Sequence, residues 1–146
     1  MACSIQGTPV RGKAQGTDMS ACLSPAMDNG SPRTVLTVDI TVAPELHVYG
    51  EPIPEGFIPL SITVEPREGL VVGTPVFPPP TPHRMEGLDD LFYIYQGTIS
   101  ISLPLTFMAA ADATPLKVQV RYQACGEMGC YMPQTVELHL PLQRLA

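Results

Sequence analysis

Leu116-Lys117-Val118-Gln119-Val120-Arg121-Tyr122 and Val136-Glu137-Leu138-His139-Leu140 enclose the short stretch 123–135. In both runs apolar side chains alternate with polar ones, the period of two of a strand with one buried face. Two such runs around a Gly-containing turn fold back on each other as an antiparallel pair. The same period recurs upstream. Leu36, Val38, Ile40 and Val42 alternate with Thr37, Asp39 and Thr41 in a strand that begins at Val35 and is stopped by Pro44. Ile58, Leu60, Ile62 and Val64 form one face of another, and Leu70 to Val72 is a short apolar run. Ile99, Ile101, Leu103, Leu105 and Phe107 stand opposite Ser100, Ser102 and Thr106, and Leu142 extends the last face. One helical turn is allowed around Met108 to Asp112. Five or more one-sided strands with almost no helix predict an all-β fold of two antiparallel sheets packed face to face.

Composition bounds the rest. The 146 residues suffice for one domain with a real core, and 45% hydrophobic against 15% charged residues exclude a disordered chain. Seventeen prolines and twelve glycines exclude long helices over most of the length. Residues 1–33 are rich in Gly, Ser, Thr and Pro, show no clean period, and contain Cys3 and Cys22. They read as an irregular or loosely packed leader with one short strand near Ile5, which places the domain proper over 34–146. Pro78-Pro79-Pro80-Thr81-Pro82 reads as a stiff connection inside the domain. A net charge of −6 and a pI near 4.8 argue against nucleic acid as a partner. No apolar run reaches the roughly eighteen residues of a membrane helix, so this chain is not expected to insert into a membrane itself. Residues 1–30 lack the apolar core of a signal peptide. Neither a Gly-rich phosphate loop nor a nucleophile elbow is present.

The residues with chemistry are Cys125 and Cys130, with four residues between them, at the end of the predicted hairpin. A disulfide there closes a very small loop and stabilises by only about 2 kcal/mol on the chain-entropy estimate. A bridge that staples little, placed where another protein reaches it, suits thiol–disulfide exchange, which needs one accessible sulfur and a second to resolve the mixed disulfide. The bland alternative is a structural hairpin bridge, common in extracytoplasmic sandwiches. A zinc site would have to recruit His47, His83, His139, Cys3 or Cys22, none at finger-like spacing. The spacing of Cys3 and Cys22 decides nothing about whether they pair. His139 falls on the polar side of a strand and His47 in a turn near the site. No lysine or helix N-terminus stands beside the pair, while Glu127, Asp89 and Asp90 bring negative charge, so both thiols are expected at or above their ordinary pKa.

Tyr122-Gln123-Ala124-Cys125, a short Gly-containing loop, Cys130-Tyr131-Met132-Pro133-Gln134-Thr135 and the ending Leu140-Pro141-Leu142 together resemble the N-terminal periplasmic domain of DsbD, the bacterial transmembrane thiol:disulfide interchange protein. His47-Val48-Tyr49-Gly50 before Pro52 to Pro59 is similar to the family's aromatic-rich turn, and Tyr95-Gln96-Gly97 leading into Leu103-Pro104-Leu105 to the strand after its cap loop. The match runs roughly over 34–146.

The resemblance implies an immunoglobulin-like antiparallel β-sandwich and an enzymatic role in thiol:disulfide interchange. In that role Cys125 and Cys130 take electrons from a membrane-embedded redox domain and pass them to thioredoxin-like extracytoplasmic proteins. It implies a cap loop over the cysteines, here Asp89-Asp90-Leu91-Phe92-Tyr93, with Phe92 as the shield and Leu91 next. Tyr49, Glu127, Tyr131 and Pro133 are expected to line the site or touch the partner. Neither a metal nor a cofactor is called for. The expected state is a monomer, periplasmic or otherwise extracytoplasmic, tethered as part of a membrane protein. Phe92 and Tyr93 as plain core or edge aromatics remain an open alternative. So does a non-catalytic sandwich for binding or assembly, with a structural Cys125–Cys130 bridge. A redox-controlled regulator is a third reading and requires a change of shape between redox states.

Overall fold

The structure, a computed structural model, describes residues 10–14, 16–28, 31–84, 91–108 and 115–141. Thirteen strands appear among them: β1 (Val10–Ala14), β2 (Thr17–Asp28), β3 (Ser31–Val42), β4 (His47–Tyr49), β5 (Ser61–Val64), β6 (Leu70–Val72), β7 (Thr81–Arg84), β8 (Leu91–Tyr95), β9 (Thr98–Phe107), β10 (Leu116–Tyr122), β11 (Ala124–Gly126), β12 (Gly129–Cys130) and β13 (Gln134–Leu140). The expected helical turn at 108–112 lies largely outside the described residues.

One layer is the sheet β1-β2-β3-β9-β6. The other is built from β13-β10-β5 and from β12-β11-β4-β8-β7, and β10 leads directly into β11. Every strand ladder is antiparallel. Register shows why the alternating runs became strands. Leu36 sits opposite Leu103, Val38 opposite Ile101 and Ile40 opposite Ile99, so both strands bury the same face. Thr37, Asp39 and Thr41 pair with Ser102, Ser100 and Thr98 on the outer face. Leu116, Val118, Val120 and Tyr122 of β10 and Val136, Leu138 and Leu140 of β13 close the core from the other layer. A buried hydrogen bond from Thr17 Oγ1 to the Tyr122 hydroxyl (2.9 Å) ties the layers together.

An irregular or loosely packed leader over 1–33 does not fit the residues described there. β2 runs for twelve residues, pairs with β3 along its whole length, and buries Thr17, Met19, Ala21 and Leu23. The period of two is present but carried by a threonine and an alanine as well as by Met19 and Leu23, so it does not stand out as an apolar stripe. β1 continues the sheet, and a Cβ on Gly12 would lie 2.6 Å from the Leu138 side chain of the facing layer. Ile5 lies outside the described residues. Only the first part of the proline run, Pro78 to Pro80, is a connection, with the Tyr95 hydroxyl donating to the Pro78 carbonyl (2.8 Å); Thr81 and Pro82 belong to β7, where pairing with β8 holds them extended.

Met19 is 3% exposed in the core. Met19→Ala is therefore expected to cost about 2–5 kcal/mol in urea unfolding. A loss under about 0.5 kcal/mol, typical of a surface position, would mean that β2 is not packed as described.

Candidate functional site

Cys125 is directly opposite Cys130 across the β11–β12 hairpin, with Gly126 opposite Gly129, and the two sulfurs form a disulfide. Glu127 and Met128 make the tip, a two-residue connection of the kind that joins tight hairpins. Gly129 takes φ +121°, a conformation that disfavours any side chain. The other glycine is constrained by space: a Cβ on Gly126 would come within 2.9 Å of the Glu45 carbonyl oxygen and of the Leu46 side chain. Below the disulfide, the Tyr131 amide donates to the Ala124 carbonyl (2.9 Å). Gln123 clamps the base, accepting from the Ile58 amide (3.2 Å) and donating to the Tyr131 carbonyl (3.3 Å).

The hairpin is held by β4, where Val48 pairs with Ala124 and His47 with Cys125. β4 pairs in turn with β8, and β8 with β7. Directly paired residues share a face, and residues two apart along a strand do too. One face of this small sheet thus carries Ala124, Val48 and Tyr95, which join the main core. The opposite face carries Cys130, Cys125, His47, Tyr49, Ile94, Phe92 and His83. There Cys125, Tyr49, Phe92 and Ile94 form a second buried cluster, with Ile53 and Phe57 packed against it. Its rings meet edge to face or tilted: Phe57–Phe92 at 4.9 Å, Tyr49–Phe57 at 5.3 Å and Tyr49–Phe92 at 5.5 Å. The two cysteines end up unlike. Cys125 is 0% exposed, whereas Cys130 is exposed beside Met128, Tyr131 and Met132.

The family model for the thiol:disulfide interchange protein DsbD, N-terminal, matches residues 24–141. The chain belongs to the DsbD N-terminal family. Three solved structures are similar in fold. The reduced DsbD N-terminal domain of Neisseria meningitidis has a TM-score of 0.54 at 21% identity, covering 91% of this chain and 84% of its own. For the N-terminal periplasmic domain of ScsB from Proteus mirabilis the TM-score is 0.61 at 15% identity, with 88% and 47% covered. The DsbD N-terminal domain studied in complex with the PilB N-terminal domain, also from N. meningitidis, gives 0.52 at 18%, with 90% and 79% covered. A search of curated protein sequences found no significant match. The fold is accordingly an immunoglobulin-like β-sandwich, and the family is one of thiol:disulfide interchange.

Within this DsbD-type domain, the expected site residues fall in different places. Tyr49 is wholly buried on β4, and its hydroxyl lies 4.0 Å from Cys130 Sγ. Phe92 is buried in the same cluster as Cys125, but from strand β8 rather than from a loop. The cap-loop expectation is corrected to that extent: cross-strand pairing with β7 holds Leu91, Phe92 and Tyr93 extended. Leu91 is 39% exposed, and Tyr93 lies on the face away from Phe92, its carbonyl accepting from the Gly50 amide (2.8 Å). Asp89 and Asp90 lie outside the described residues, as does Cys3. Glu127, Tyr131 and Pro133 are exposed around Cys130. Cys22 is buried and disulfide-bonded. No helix among the described residues is long and apolar enough to cross a membrane.

Sequence reasoning missed Phe57 and left His83 unassigned, and it put His47 in a turn near the site, whereas His47 begins strand β4. His47 is only 8% exposed, and its Nε2 lies 3.3 Å from the Tyr49 hydroxyl. The His83 ring centre is 5.4 Å from that of His47. Burial, and after it the charge of His83, lowers the His47 pKa from its ordinary value. Burial raises the pKa of Tyr49, which keeps its proton. The one available signal was the i, i+2 spacing of His47 and Tyr49, which puts both on one face of a strand.

Phe92→Ala is expected to cost about 3–5 kcal/mol and, in the folded reduced protein, to speed alkylation of Cys125. Unchanged Cys125 reactivity would mean that Phe92 does not shield it. Because the folded state holds His47 below its ordinary pKa, the unfolded chain binds more protons there. That contribution to stability is complete above the ordinary value and is lost as pH falls towards the folded pKa. Urea titrations on either side of about pH 6.5 are expected to show that loss, and His47→Gln to flatten it.

Proposed function

We propose that this domain is an extracytoplasmic electron relay. Its reduced Cys125/Cys130 pair receives electrons from a membrane-embedded redox domain and hands them to thioredoxin-like proteins by dithiol–disulfide exchange. The observation that carries this reading is the asymmetry of the pair. Exchange requires a line of approach along the sulfur–sulfur axis to one sulfur only, with the other held ready behind it. Cys130 offers that approach, and Cys125, 0% exposed, is the resolving thiol.

In the donating direction the Cys130 thiolate attacks one sulfur of the partner disulfide, and the partner's second sulfur leaves with the electron pair. Cys125 then attacks Cys130 Sγ. This re-forms the Cys125–Cys130 bond and releases the partner's first sulfur as a thiolate. Two electrons and two protons have passed to the partner. Burial among Tyr49, Phe92 and Ile94 disfavours a free Cys125 thiolate, so Cys125 acts only once the mixed disulfide is beside it. This restraint suits a relay that must not reduce every disulfide it meets.

The docking surface is the hairpin tip. Met128 (102% exposed), Met132 (79%) and Tyr131 (42%) are exposed apolar neighbours of Cys130 in sequence, flanked by exposed Glu127 and Pro133. Such a patch buries a small area and releases its partner readily. The solved complex of a DsbD N-terminal domain with the PilB N-terminal domain supports a protein as the partner. The family and the periplasmic domain of ScsB among the similar structures support an extracytoplasmic location.

Two outcomes test the reading. Redox titration followed by peptide mass mapping is expected to give a reversible Cys125–Cys130 potential above about −300 mV with the fold intact. A lower potential, or unfolding on reduction, would make the bridge structural. In addition, Cys125→Ser is expected to accumulate a mixed disulfide through Cys130 with an oxidised thioredoxin, and Cys130→Ser to form none. Equal trapping by both variants would remove the asymmetry on which the proposal stands.

A further inference from the structure

The strand register that brings the cysteines under the aromatic cluster also aligns three groups that exchange, as described so far, does not use. His47 lies directly across from Cys125. Its Nε2 is 3.3 Å from the Tyr49 hydroxyl, and that hydroxyl is 4.0 Å from Cys130 Sγ, within reach of a hydrogen bond to sulfur. Together they make a continuous chain from an imidazole nitrogen through a phenol oxygen to the exposed sulfur. His83 stands behind it, its ring 5.4 Å from that of His47.

Exchange demands a proton transfer at this sulfur. Cys130 must lose a proton before it attacks and regain one when it leaves. We propose that His47 exchanges this proton with Cys130 through the Tyr49 hydroxyl, as the positioned acid–base group of the reaction. This rests on the relay reading above. When the reduced pair attacks, the Cys130 S–H proton moves to the Tyr49 oxygen while the Tyr49 O–H proton moves to His47 Nε2. The thiolate so formed breaks the partner's disulfide, and the protons given up by Cys130 and Cys125 end on the partner's two sulfurs. In the opposite direction the imidazolium returns its proton along the same chain as Cys130 leaves.

The surroundings suit the role. An acceptor must be neutral at working pH, and burial with the neighbouring His83 holds the imidazole in that form. The titratable groups facing His47 from the described elements are Tyr49 on β4, Cys125 on β11, Cys130 on β12 and His83 on β7. β8 presents only Phe92 and Ile94 from this face. The tyrosine proton is retained by burial, so Tyr49 passes protons without itself ionising.

The test is the rate of Cys130 alkylation by iodoacetamide in the reduced protein, read by peptide mass spectrometry between about pH 5 and 9, which spans the ordinary histidine and cysteine values. The wild type is expected to show an inflection where His47 titrates, below its ordinary value. On the acid side, the imidazolium donates through Tyr49 and sustains the thiolate. His47→Gln is expected to lose the inflection and to react about tenfold more slowly there, the effect of one pKa unit of coupling. Tyr49→Phe is expected to abolish the inflection with His47 in place, and His83→Gln to move it to higher pH by removing a like charge. Superimposable profiles for the wild type and His47→Gln, or an inflection that survives Tyr49→Phe, would overturn the proposal. Circular dichroism checks each fold; if His47→Gln fails to fold, Tyr49→Phe decides. Iodoacetamide needs no protein partner, so a failed relay reading leaves this result readable. A parallel assay with glutathione disulfide reports exchange separately.

Discussion

Strand β11 is buried on both sides at once, and the rest of the site follows from that. Ala124 and Cys125 are consecutive, so they face opposite ways. Ala124 belongs to the main core, and Cys125 to the aromatic cluster on the far side. A strand in this position has no solvent face to give up, which is why the sheet β12-β11-β4-β8-β7 needs a second small core of its own. Tyr49, Phe92 and Phe57 supply it. Large rings cover more apolar area per residue than any other side chains, and their edge-to-face contacts add to that burial.

The disulfide inherits its asymmetry from this arrangement. β11 is an inner strand, paired on both edges, while β12 is a two-residue strand at the edge of the sheet among the described residues. The sulfur on the inner strand is enclosed and the sulfur on the edge strand is open. A symmetric hairpin end in water would have left both exposed. The polar groups brought into this face are matched as well: His47 reaches Tyr49, and among the described residues no buried side-chain nitrogen or oxygen lacks a partner. Satisfied polar groups in a low-dielectric setting hold fixed positions.

The sandwich itself was legible. Leu36 to Val42, Ile99 to Phe107, Leu116 to Tyr122 and Val136 to Leu140 alternate strictly, and each became a strand with the expected face buried. β2 was not legible, because Thr17 and Ala21 occupy inward positions that only its neighbours define as buried. The cysteine pair stood out by spacing and by family resemblance. Its surroundings were only half readable: Phe92 is buried in the cluster that holds Cys125, yet it comes from a strand whose partner, β7, includes Thr81 and Pro82 from a stretch that reads as a stiff proline connection.

By itself, the sequence determined the layer architecture, the antiparallel pairing of the long strands, and the two sulfurs at the end of one hairpin. Each is encoded locally, in a period of two or a spacing along the chain. Only the tertiary structure decided which sulfur faces solvent, that Phe57 and Phe92 meet in the cluster that holds the other, and that His47, His83 and Tyr49 lie on the same sheet face as the pair. Those relations join β4, β7, β8 and β11 across up to 78 positions of chain, from His47 to Cys125. No local period carries information over such separations; hydrogen-bonded register between strands distant in sequence does.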